Sequence, residues 1–363
     1  MNPSTVTLER IKAYAARNER RLAISFFVAG FLFDIVTLGR IDSWLTIGQQ
    51  AAYLLAVTVV LVQMLLAEGR PAPDLAAASR LKRWYLEYRN PAIHFLLGAL
   101  LSAYTLFFFK SSSLLVSFGF MVILVVLLFA NEAERFKALE LRFKFALLAL
   151  CWLAFFAYVI PVLIGQIGLV VFLVSMAIGC VPLVAVSFFL LQNKKKQILV
   201  PLGCVVIGFL TFYLFRLIPP VPLSIPFMGV YHGVERTEQG YKLSHERPGW
   251  RIWHNGDQQF RAQAADKVHV YFRVFSPSRF SDQVLMRWYH HEDGRGWVLQ
   301  DTIPIKIVGG REEGFRGYGV KSKYQPGEWK VQVETTDARE IGRIYFSVEN
   351  VPDAARSFVS ELD

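Results

Sequence analysis

A chain of 363 residues with 54% hydrophobic and 19% charged residues, at a mean hydropathy of +0.36, reads as an integral membrane protein and not as one large soluble fold. Its net charge of +10 does not mark a nucleic-acid face, because residues 1–218 hold 20 Lys and Arg against 10 Asp and Glu while residues 219–363 hold 19 of each. The excess therefore lies in loops between apolar spans, where it sets orientation and attracts anionic lipid headgroups.

Residues 1–21 read as a cytoplasmic amphipathic N-terminus, and residues 22–218 as a seven-helix transmembrane domain. The spans are Leu22–Gly39, Leu45–Ala67, Ala92–Phe109, Ser112–Ala130, Ala146–Gly165, Gly168–Leu191 and Gln197–Ile218, each of bilayer-crossing length. Basic residues alternate between the connections. Arg10, Lys12, Arg17, Arg20 and Arg21 precede the first span, and Arg40 alone follows it. Arg70 to Arg89 contribute a cluster, Lys110 stands alone, and Arg135 to Lys144 cluster again. The next loop has no basic residue, and Lys194, Lys195 and Lys196 come after the sixth span. Positive charge stays inside, so this pattern places the N-terminus in the cytoplasm and everything beyond Ile218 outside. The first span follows Arg20-Arg21 without a small-x-small cleavage site and reads as a retained signal anchor. Asp74–Asn90 carries apolar residues at helical spacing beside Arg80, Lys82 and Arg83, the pattern of a helix lying on the membrane surface.

Within the spans, Asp34 is the candidate intramembrane polar site, since buried ionisable groups in lipid often mark transport paths. His94 is a weaker candidate. Pro161, Pro182 and Pro201 are expected to kink the last three spans. Cys151, Cys180 and Cys204 all lie in apolar segments and form no CxxC motif, so they read as packing residues.

Residues 219–264 read as a proline-stiffened extended linker with accessory strands, beginning at Ile218-Pro219-Pro220-Val221-Pro222. Residues 265–363 then alternate with period two. Val268, Val270, Phe272 and Val274 form one apolar face, as do Val284, Met286 and Trp288. Ile303, Ile305 and Ile307 repeat the pattern, followed by Trp329, Val331 and Val333, and by Ile344, Phe346 and Val348. Turn residues at Asp293-Gly294, Gly309-Gly310 and Pro326-Gly327 separate these runs. The fold class expected is thus membrane all-α plus a C-terminal all-β immunoglobulin-like sandwich, with a short helix over Asp353–Leu362.

The run Arg287-Trp288-Tyr289-His290, Gly294, Lys321-Ser322-Lys323, and Pro326-Gly327-Glu328-Trp329-Lys330-Val331-Gln332-Val333 followed by Phe346-x-Val348 resembles the bacterial domain of unknown function 2914. The resemblance covers roughly residues 265–350 and implies a membrane-linked sandwich, with no activity to carry over. Asp337-Ala338 stands where a turn Asp-Gly is typical.

His290-His291-Glu292-Asp293 could ligate a metal, but adjacent strand residues face opposite ways, so a solvated turn with His290 beside Trp288 is the expectation. Trp288 and Trp329 alternate onto the core face. Trp250, Trp253 and Trp297 lie outside the alternation and are the candidate partner-binding residues. There is no Gly-x-Ser-x-Gly elbow, phosphate loop or outer-domain cysteine, so no catalytic residue, cofactor or metal is expected. The sequence thus predicts a non-enzymatic inner-membrane protein whose periplasmic sandwich binds an envelope protein or glycan. The alternative is a transporter or signal-transducing protein using Asp34 and the kinked later helices.

Overall fold

The structure, a computed structural model, describes residues 38–68, 79–111, 114–132, 141–246, 253–277, 281–308, 314–353 and 355–363. The helices are α1 (Trp44–Ala67), α2 (Arg80–Lys110), α3 (Leu114–Glu132), α4 (Leu141–Ile164), α5 (Leu169–Ala185) and α6 (Lys196–Leu214). α5 passes into a π-helical turn at Val186–Leu190. Among the described residues five helices, α1, α2, α4, α5 and α6, are long and apolar enough to cross a membrane, where the sequence reading expects seven. The first expected span, with Asp34, lies outside the described residues but for its last two, and the fourth is represented by the shorter apolar stretch Ser117–Leu128 within α3. Large apolar side chains are exposed along α1, α5 and α6, including Leu55, Val59, Val170, Val181, Val200 and Ile207. The expected surface helix is different: Arg80–Asn90 continues unbroken into α2 through Pro91. Pro91 removes one hydrogen bond, and the remaining rungs hold the helix together.

The chain divides into two compact units. One comprises Met1–Leu106, Val122–Phe155 and Cys180–Val205. Within it, Lys194 donates to the Leu65 and Glu68 carbonyls at 2.7 and 2.9 Å, placing a cation on the C-terminus of α1 where the helix dipole favours it. Trp152 on α4 donates to Thr58 on α1 at 3.1 Å.

The other unit comprises Phe107–Met121, Phe156–Gly179 and Val206–Asp363. It thus groups the C-terminal ends of α2, α4 and α6 and the N-terminal ends of α3 and α5 with the whole β-rich region. Phe120 meets Phe108 and Phe212 edge-on at 5.2 and 5.9 Å, and Phe172 stacks on Tyr213 at 3.8 Å, so rings tie these helix ends together.

Its strands are β1 (Ser224–Tyr231), β2 (Gly233–Thr237), β3 (Gly240–His245), β4 (Gln259–Ala262), β5 (Val268–Phe275), β6 (Ser281–Glu292), β7 (Gly296–Val308), β8 (Phe315–Lys321), β9 (Gly327–Thr335), β10 (Glu340–Asn350) and β11 (Val359–Leu362). A three-stranded sheet runs β1-β5-β8, and a five-stranded sheet runs β4-β10-β9-β6-β7. The alternating residues form one core between them: Val270 and Phe272 from β5, Trp288 from β6, Trp329 and Val331 from β9, and Phe346 from β10 are all buried. Pro304 falls on β7, an edge strand, where a missing donor is tolerated. β4 pairs parallel to β10, the other adjacent pairs in these sheets being antiparallel.

β1 and β4, within the stretch read as linker and accessory strands, pair into the large sheets. Two expectations are corrected. The proline-rich exit is not extended. Val221 and Leu223 donate back to the Pro219 and Pro220 carbonyls, and Ile218, Val221 and Leu223 are buried, so apolar burial folds the segment into turns. Finally, Val359–Leu362 is a strand paired with β3, in a small sheet ordered β11-β3-β2. Arg356, ion-paired to Glu246 and Asp266, leads the chain onto the open edge of β3, and that pairing prevails over local helix formation.

Candidate functional site

Two features of this unit combine chemistry with geometry. The first is where the sandwich meets the helix ends. α6 closes with Leu217 donating to the Phe212 carbonyl at 2.8 Å and Arg216 to that of Tyr213 at 3.0 Å, with Arg216 at φ +59°. This is a Schellman cap with arginine where glycine is usual. The β9–β10 hairpin reaches onto it. Arg339, 6% exposed, donates to the Tyr213 and Ile218 carbonyls at 2.9 and 3.1 Å and to Asp337 at 2.9 Å. Its guanidinium lies 3.4 Å from the Tyr213 ring centroid, and the Tyr213 hydroxyl donates to Asp337 at 3.2 Å. One planar cation therefore answers a helix-end carbonyl and one just beyond it, a carboxylate and a π face together. A second contact lies at the start of β6, where Ser281 donates to the Gly165 carbonyl at 3.1 Å. Burial pushes the Glu334 carboxyl above its usual range against the opposing charge of Arg287, whose Nε lies 2.8 Å from it.

The second feature is the outward face of the five-stranded sheet. Register aligns Tyr345 of β10, Lys330 of β9, Tyr289 of β6 and Leu299 of β7 in one row. Beside them Trp297 lies 5.6 Å from Tyr345 and 5.1 Å from His291. The Lys330 ammonium sits between rings, 4.2 Å from Tyr289 and 5.3 Å from Trp297. Desolvation, then the charge of Arg343, lowers the Lys330 pKa. Trp297, Leu299 and Tyr345 are 37–47% exposed. The result is an open aromatic and cationic platform, a surface suited to stacking and cation–π contact.

The tryptophans singled out in the sequence do not form one site. Trp297 is on the platform. Trp253 is exposed but precedes β4, at the opposite edge of the same sheet. Trp250 lies outside the described residues, as does Asp34. Trp288 and Trp329 are buried as the alternation predicts. His290 and His291 do face opposite ways, but His290 packs on Trp329, its cross-strand partner, at 4.8 Å and not beside Trp288. Among the described residues no group of three or more His, Cys, Asp or Glu is placed to hold a metal. The sequence alone does not single out Lys330, Tyr289 and Tyr345 as a site, because a strand pattern shows the face but not the register that gathers it.

The stretch from the start of β6 to Val348 of β10 is also where a known family enters. Residues 281–348 match the family described as Protein of unknown function (DUF2914). The DUF2914 segment holds Trp297, Lys330, Tyr289, Tyr345 and Arg339. No curated protein matches the chain. Among solved structures, an immunoglobulin-like protein from Pseudomonas aeruginosa is 13% identical over 36% of this chain and 98% of that one, at a TM-score of 0.23. A β-glucosidase involved in saponin metabolism, from intestinal bacteria, is 12% identical over 35% of this chain and 16% of that one, also at 0.23. The alkylpurine DNA glycosylase AlkC of Pseudomonas fluorescens, bound to DNA, is 11% identical over 85% of this chain and 99% of that one, again at 0.23. Similarity this slight carries no argument about fold or chemistry.

Proposed function

We propose that the chain is a multi-pass protein of the bacterial cytoplasmic membrane, with its N-terminus inside. It presents an immunoglobulin-type sandwich to the periplasm, where the sheet face around Trp297 binds an envelope protein or glycan without catalysing a reaction. The two face-to-face sheets with an alternating core support the immunoglobulin-type reading. Five apolar helices support the membrane reading. The charge alternation supports the orientation, and of the six described helix ends it assigns to the outside, five, all but the start of α1, are grouped with the sandwich.

The observation that carries partner binding is the open platform of Trp297, Lys330, Tyr289 and Tyr345. Interface hot spots are rich in aromatic residues, and aromatic faces also stack on sugar rings. The alternative transport reading rests on Asp34, which lies outside the described residues, and on the later helices that carry Pro161, Pro182 and Pro201.

The test is a photoreactive residue introduced at Leu299 of the full chain in cells. A specific crosslinked envelope component, reduced at least several-fold by Trp297→Ala at equal expression, is the expected result. Equal capture from the two chains would remove the platform from the reading. A reporter active only outside the cytoplasm, fused after Asp363, checks the orientation separately.

A further inference from the structure

We propose that the end of the sandwich remote from the helices holds a second site, separate from the platform, which takes an acidic sugar: a hydroxylated ring bearing a carboxylate. β6 begins at Ser281, which bonds the Gly165 carbonyl, and runs 12 residues to Glu292. At about 3.3 Å per residue this carries its far end some 35–40 Å from that contact. There, His290 of β6, Gln300 of β7, the loop residues Ser322, Lys323 and Gln325, and Trp329 of β9 converge on a cleft of about 410 Å³. That volume falls in the ~300–1,000 Å³ range of small-molecule sites.

Its floor is fixed. Trp329 is 2% exposed and donates from Nε1 to the Gln325 carbonyl at 2.9 Å. His290 packs on that indole, with Nε2 3.2 Å from the Pro326 carbonyl. Gly327 has φ +124°, and a Cβ there would stand 3.0 Å from His290 Nε2, so glycine lets the loop close over the histidine. Tyr324, also on the cleft, is held by its hydroxyl to the Asp266 carbonyl at 2.8 Å.

The walls are open. The side chains of Gln300, Ser322, Lys323 and Gln325 have no hydrogen-bond or ion-pair partner among the described residues. They offer an ammonium, two amides and a hydroxyl, and no carboxylate is among the described residues that line the cleft. The neighbouring Asp301 is occupied by Lys321. A bound ligand must therefore bring the negative charge, which Lys323 answers with charge-assisted hydrogen bonds. It must also bring hydroxyls for the amides and Ser322. A uronic acid supplies both on one ring, and the partly buried Tyr324 ring supplies an aromatic wall.

The test is calorimetric titration of the full chain in detergent micelles with glucuronate, glucose and acetate. Glucuronate should bind saturably, with glucose and acetate each weaker by on the order of tenfold, the worth of one charged hydrogen bond or a comparable set of hydroxyl contacts. Lys323→Ala should lose about that tenfold and Lys323→Arg should retain most of the affinity. Lys323 is exposed and unpartnered, so equal unfolding midpoints for the variants are expected and are measured alongside. Trp297→Ala should bind glucuronate normally, which separates this site from the platform. No saturable glucuronate binding, acetate binding as tightly as glucuronate, or full affinity in Lys323→Ala would each overturn the proposal.

Discussion

At the end of the sandwich that meets the helix ends, Glu334, Thr335, Arg339 and Glu340 are 7% exposed or less, and each has a bonding partner in the same cluster. At the far end, Lys323, Ser322 and Gln300 face a cleft with none among the described residues, and the nearby Trp297 lies open. Buried polar groups without partners are costly, so the near end has the character of a seat, built to hold one arrangement. The far end keeps its hydrogen-bonding capacity unused, as a binding surface must. The same strands, β6 and β9, serve both ends, so the contrast is set by what surrounds each residue and not by secondary structure.

Removing Arg339 should break the contrast most severely. Arg339→Ala removes the cation paired with Asp337, which keeps the Thr335 and Tyr213 hydroxyls, and takes a donor from each of the Tyr213 and Ile218 carbonyls. The expected loss is about 3–5 kcal/mol, as for a buried pair with one partner deleted. Denaturant unfolding in micelles measures it, and Arg339→Lys should recover little because it lacks the fork. A loss under about 1 kcal/mol would mean the hairpin is not seated as described.

Acid should test the polar clasp that leads the chain into β11. Burial alone would raise the Asp266 carboxyl, but the Arg356 hydrogen bond, the Gln263 N–H and the charges of Arg356 and His232 hold it below its usual value of 3.8. A depressed carboxyl contributes stability above its unfolded pKa and loses it as pH falls through the folded one, so this contribution fades below pH 3.8. Arg356→Gln should cost about 1.5–3 kcal/mol near neutral pH, the range for charged hydrogen bonds, and should flatten that acid limb. Stability curves of the two proteins that stay parallel through acid would contradict the clasp.

A smaller change should strengthen the near end. Ala338 sits at φ +60° in the β9–β10 turn, a conformation that costs an L-residue and not glycine. Ala338→Gly should therefore stabilise by about 1 kcal/mol, partly offset by the freer unfolded chain. An unchanged or lowered midpoint would show the turn unstrained.

Much of this was legible in the residues and some was not, for physical reasons. Period-two alternation located the core faces of β5, β6, β9 and β10 and the burial of Trp288 and Trp329, because a pleated strand has only two sides. The Asp337-Ala338 departure marked the turn that carries Arg339, although nothing local showed that Arg339 would reach α6. That contact joins residues 126 positions apart, and sequence periodicity reports only local geometry. For the same reason Trp253 and Trp297 look equivalent in sequence, while the fold sets Trp297 on the edge strand β7 and Trp253 in a turn ahead of β4. The sequence over β11 suggests a helix because its partner edge, β3, lies more than a hundred residues earlier.

The smallest stability effect should be the sharpest functional one. Trp297 lies on an edge strand with more than a third of its surface open, so Trp297→Ala should change stability by no more than about 0.5 kcal/mol, as surface substitutions do. Its ring nonetheless completes the enclosure of Lys330 with Tyr289, and the platform loses its largest exposed face without it. Unchanged unfolding together with lost crosslinking from Leu299 would show a surface held open for a partner. Had the indole been a strand-packing element, the same change would lower the unfolding midpoint and leave capture in proportion to folded protein. Measuring both quantities on one preparation therefore decides whether the open end of the sandwich differs from the seated end in function as well as in exposure.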